Sequence, residues 1–81
     1  MPTVLKSGKY RFFFFSNEGY EPCHIHVESS DGHGKFWLKP KIHLASSPGL
    51  KARDLSEISK IVRQNVDKFM EAWNEFFRSK N

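Results

Sequence analysis

The sequence predicts an α+β fold: an antiparallel sheet of four or five strands with one long C-terminal helix packed on one face. Three observations carry this. Up to Ser46, short β-rich stretches alternate with turn residues. From about Ala52, apolar residues recur at three- and four-residue steps. The change falls within Ser46-Ser47-Pro48-Gly49. Residues 1–46 are therefore read as sheet and 52–78 as helix, inside a single domain spanning 1–81.

Thr3 to Lys6 forms the first short strand, and Ser7-Gly8-Lys9 turns the chain. Tyr10-Arg11-Phe12-Phe13-Phe14-Phe15 is the second strand. Side chains alternate faces along a strand, so Tyr10, Phe12 and Phe14 share one side and Arg11, Phe13 and Phe15 the other. Four successive phenylalanines suggest a central strand covered on both faces. Ser16 to Pro22 is a loop punctuated by glycine and proline.

Cys23-His24-Ile25-His26-Val27-Glu28 follows. Cys23, Ile25 and Val27 point to the core, and His24, His26 and Glu28 to a polar face. Asp31-Gly32 is a strong two-residue hairpin signal. With those two residues as the loop, Glu28 stands opposite Lys35, Val27 opposite Phe36, His26 opposite Trp37 and Ile25 opposite Leu38. Pro40 cannot donate to a strand ladder and marks a turn, a bulge or an edge. With Lys39 to Lys41 as a three-residue loop, Trp37 faces His43. With only a kink at Pro40, alternation keeps Phe36, Leu38, Ile42 and Leu44 together. Either way His43 joins the face of His24 and His26.

In the helical half, Leu55, Ile58, Val62, Val66, Phe69, Trp73 and Phe76 make a continuous apolar stripe. Asp54 and Glu57 near its start, and Arg78 and Lys80 near its end, suit the helix dipole. A helix of this length runs roughly 39 Å at about 1.5 Å per residue. That exceeds the width of a small sheet, so an overhang, or a bend near Gln64-Asn65, is expected.

Composition narrows the function classes. A chain of 81 residues buries only a small core, and eight Phe, two Trp and two Tyr compensate with large side chains. The net charge of +4 permits an acidic or nucleic-acid partner without requiring one. A single cysteine excludes an intrachain disulfide and suits a reducing compartment. No stretch approaches the roughly 18 apolar residues of a membrane span, and the first residues lack the apolar run of a signal peptide. The expected location is the cytoplasm.

The candidate binding residues are His24, His26, Glu28, Lys35, Trp37, Lys39, Lys41 and His43. A His-x-His pair supplies two imidazoles to a metal, with Glu28, His33 or His43 as a third ligand. Lysines repel a cation and Trp37 occupies ligand space, so no metal and no cofactor is expected; a metal, if present, would sit on His24 and His26. No catalytic residue is assigned. In an enzyme, His24, His26 or His43 would move a proton, and Arg11, Lys35, Lys39 or Lys41 would steady a phosphate. Cys23 points to the core, where a thiol is inert.

Tyr10 to Gly19, Glu21-Pro22-Cys23-His24-Ile25-His26-Val27, Lys35-Phe36-Trp37-Leu38 and Glu71 to Phe77 together resemble a family of small prokaryotic proteins, domain of unknown function 4160. The family usually has proline where Cys23 stands. The resemblance implies a co-encoded partner, a small protein of the type called domain of unknown function 2442, and a place in a toxin–antitoxin-like two-gene pair. The expected function is a non-enzymatic module that binds a partner protein or polyanion through its His/Trp/Lys face. The alternative is a ribonuclease, metal-dependent or histidine-based.

Overall fold

Strand-forming stretches and turn residues resolve into a five-stranded antiparallel meander, backed by two helices. The computed structural model describes residues 3–15 and 19–78. The strands are β1 (Thr3–Ser7), β2 (Tyr10–Phe13), β3 (His24–Glu28), β4 (His33–Trp37) and β5 (His43–Ser46), ordered in space as in sequence. The expected loop positions Ser16, Asn17 and Glu18, and Lys80 at the helix end, lie outside the described residues.

Gly8, at φ 58°, makes the β1–β2 turn, a conformation that glycine adopts without steric cost. The β3–β4 hairpin departs from the expected register by two residues. Glu28 pairs with His33, His26 with Lys35, Ile25 with Phe36 and His24 with Trp37. Ser29 closes the turn by donating its backbone N–H to the Gly32 carbonyl, 2.9 Å away, so Ser30 and Asp31 are the loop residues. The cause lies later in the chain. Gly32 does not adopt positive φ. Its missing side chain admits other backbone instead: a Cβ there would stand 2.4 Å from the Pro48 carbonyl oxygen. A two-residue slip preserves alternation, so the slip itself moves no side chain to the other face.

The helical layer also differs from the single expected helix. It comprises α1 (Ala52–Gln64) and α2 (Val66–Arg78), separated by Asn65. The Asn65 side-chain amide donates to the Ile61 carbonyl at 2.8 Å. Side-chain bonding of this kind competes with regular helix. Hydrogen bonding nevertheless carries through the bend, since Phe69 N–H donates to Asn65 O at 3.0 Å. The bend solves the length problem that the stripe posed.

Ile58, Val62, Phe69 and Trp73 from the helices are buried on Tyr10, Phe12, Phe14, Ile25, Val27, Phe36 and Leu38 of the sheet half. Phe12 stacks on Phe69 at 5.4 Å, and Phe14 meets Trp73 edge-on at 5.4 Å. Each fully buried side chain of this size contributes about 1.5–3 kcal/mol.

Asp54 ties the two layers together. One carboxylate oxygen accepts the Tyr10 hydroxyl at 3.1 Å, and the other accepts the Lys51 backbone N–H at 3.3 Å, capping α1. Lys9 stands 3.4 Å away. The Lys51 hydrogen bond, with Tyr10 and Lys9, holds the Asp54 carboxyl below its ordinary pKa. Burial, with Glu57 and Asp54 nearby, pushes the Tyr10 phenol well above its own.

Candidate binding face

The helices cover one side of the sheet. Among the described residues, no strand or helix covers the other. Alternation and register set what that open side presents: Arg11 opposite Glu28, Phe13 opposite His26, His26 opposite Lys35, and Trp37 between His24 and His43.

The aromatic rings pack laterally. His26 stacks on Phe13 at 5.5 Å and meets Phe15 at 4.8 Å. Two cations close over them. The Arg11 guanidinium lies 4.5 Å above the Phe13 ring, pairs with Glu28 and donates to Thr3 Oγ1 at 2.8 Å. The Lys35 ammonium lies 4.2 Å above the Trp37 ring and donates to Glu21 at 2.8 Å. A hollow of about 430 Å³ opens over Phe13, Phe15 and His26, walled by Glu28, His33 and Lys35.

The candidate residues divide into three groups. His26, Glu28 and Lys35 line the hollow. Trp37 is half-buried, beside exposed His43, Lys39 and Lys41. His24 is fully buried: its Nδ1 donates to the Pro22 carbonyl at 2.9 Å, and Trp73 packs against its ring at 4.7 Å. At the start of β3, then, the helical layer reaches a histidine that alternation assigns to the opposite side. His43 Nδ1 donates to the Lys41 carbonyl at 3.0 Å, which orients its ring.

Positive charge is less evenly spread than three lysines on one face suggest. Lys35 is neutralised by Glu21, and Arg11 by Glu28. Lys39 and Lys41 at the β4–β5 turn make no ion pair among the described residues, and neither does exposed Lys6, which stands opposite Arg11 at the other edge of the same face. Among the described residues, no three His, Cys, Asp or Glu side chains stand together as metal ligands. Cys23 faces the core, where burial pushes its thiol up to about 11 against the smaller opposing pull of Lys39.

Phe13 and Phe15 lie opposite the core as alternation requires, but among the described residues no second layer of the kind four successive phenylalanines suggest covers them. Glu21 and Ser46 are not among the expected face residues, and His33 is expected there only as a third metal ligand. Alternation along β2 signals the phenylalanines. Glu21 comes from a loop, and nothing in its spacing reveals its reach to Lys35.

A family model matches residues 10–74, most of the chain. The chain belongs to the family described as Domain of unknown function (DUF4160). The match spans β2 through most of α2, so the family's shared segment includes the Arg11, His26, Lys35, Trp37 and His43 positions. No match was found among the curated proteins or among the solved structures. No helix among the described residues is long and apolar enough to cross a membrane.

Proposed function

We propose that this chain is a non-enzymatic binding module that receives an acidic protein at the end of its open face formed by Trp37, Lys39, Lys41 and His43. The observation that carries this reading is that two unmatched lysines share the Trp37 end of the face. Arg11 and Lys35 are each held by a carboxylate, whereas Lys39 and Lys41 are exposed without an ion pair among the described residues. They follow a half-buried tryptophan in the chain, a residue type enriched at interface hot spots. An acidic surface would neutralise the lysines and cover the remaining ring area together. The family resemblance suggests the partner: a small co-encoded protein, in a toxin–antitoxin-like pair.

The ribonuclease reading is weaker. His24 is fully buried against a backbone carbonyl, and His43 lies beyond Trp37 from it, so the three histidines do not converge on one phosphate. Co-expression with the product of the adjacent gene tests the proposal. A stable complex that weakens with added salt is expected, because exposed charges are screened. RNA cleavage that disappears in a folded His26→Ala variant would move the reading to the enzyme. RNA capture without cleavage would replace the protein partner with a nucleic acid.

A further inference from the structure

A second concavity lies away from the open face. β1 is an edge strand: it pairs with β2 on one side, and among the described residues it makes no backbone hydrogen bond on the other. Between β1 and α2 runs a groove of about 700 Å³. Val4 and Phe14 line its sheet side, and Ala72 and Phe76 its helix side. An open strand edge beside an apolar groove suits strand addition: the edge supplies main-chain hydrogen bonds and the groove receives alternate side chains.

The rim identifies what would fit. Lys68, Glu71, Glu75 and Arg78 follow one another along the α2 side of the groove. None of them forms an ion pair among the described residues. The two glutamates, one helical turn apart, repel each other at its middle. The cations stand at its ends. At about 1.5 Å per residue, Lys68 and Arg78 are roughly 15 Å apart along the helix. A five-residue strand spans about 17 Å.

We propose that this groove receives an extended segment of a partner protein, about five residues long, with a lysine or arginine at its central groove-facing position and apolar residues two positions to either side. The apolar side chains rest on Val4, Ala72 and Phe76, which are partly exposed. The central basic side chain lays its methylene stem on the same floor and carries its charge to Glu71 and Glu75. Lys68 and Arg78 discriminate against further basic residues at the segment's ends. This surface is independent of the open face, and neither reading depends on the other.

The test uses the whole chain and capped five-residue peptides with valine at both ends, threonine at positions two and four, and lysine or glutamate in the centre. Amide shifts are followed by heteronuclear NMR. The lysine peptide is expected to shift Val4, Leu5 and Ala72 saturably, and to bind at least about tenfold tighter than the glutamate peptide, since like charges brought together disfavour association. The exposed-residue double variant E71K/E75K should reverse that preference, and N-methylation of the peptide backbone should abolish binding. Equal affinity for the two peptides, or no saturable shift with either, overturns the proposal. The same amides shifting with protein concentration alone would assign the groove to a second copy of the chain and overturn it too.

Discussion

The two faces of the sheet bury aromatic rings by different means. On the helix side, Phe12 and Phe14 are covered by Phe69, Trp73 and Phe76, ring against ring. On the open side, Phe13 and Trp37 are covered by Arg11 and Lys35, each tethered to a carboxylate. Close packing of apolar groups supplies stability that salt does not screen. A half-exposed ion pair is worth only about 0–1 kcal/mol and loosens with salt. One face holds the fold by close packing, while the other keeps its rings under a cover of half-exposed ion pairs that is displaced at small cost.

The sharpest way to break this contrast is to truncate one ring on each face. Phe69→Ala removes a fully buried ring and should destabilise the domain by about 3–5 kcal/mol, read by chemical denaturation. Trp37→Ala should cost clearly less stability. It should instead weaken partner binding by more than about 1 kcal/mol, measured by calorimetry with circular dichroism as the folding control. Unfolding on loss of Trp37 would make the open face a second core.

A pH experiment sharpens the comparison on the helix side. The Tyr10 phenol has its pKa raised by burial, so the folded state retains a proton that the unfolded state releases above about pH 10. Its contribution is complete below that value and declines as pH rises further. Tyr10→Phe should therefore flatten the fall in denaturation midpoint on the alkaline side. At acid pH the sign reverses. Asp54, lowered chiefly by the Lys51 hydrogen bond, contributes above the ordinary carboxylate range, and that contribution is lost as pH falls through its folded pKa. The smallest effect belongs to the open face: Glu28→Gln should change stability by less than about 1 kcal/mol, and less still at high salt.

How much of this was legible in the sequence follows from which quantities are local. Face assignment depends only on alternation, so Ile25 and Val27 against His26 and Glu28 were readable, and a two-residue slip left them in place. Register was not readable, because Asp31-Gly32 looks like a turn only until Pro48 and Gly49 claim the space beside Gly32. The Asn65 bend was half-readable, since the stripe outran any sheet it could cover. The burial of His24 needed Trp73, distant in sequence, to arrive at the start of β3. The neutralisation of Lys35 needed Glu21, on a loop. Both came from tertiary proximity, which no spacing encodes.

We propose that the open face receives an acidic partner at its β4–β5 end. A titration of the isotope-labelled chain with a poly-glutamate peptide, followed by heteronuclear NMR at low salt, tests it most directly. The Trp37 indole N–H and the amides from Lys39 to His43 should shift together and return when salt is added, while Ile58, Val62 and Phe69 stay still. Silence at Trp37 and Lys39 to His43, with shifts elsewhere or none at all, would contradict it.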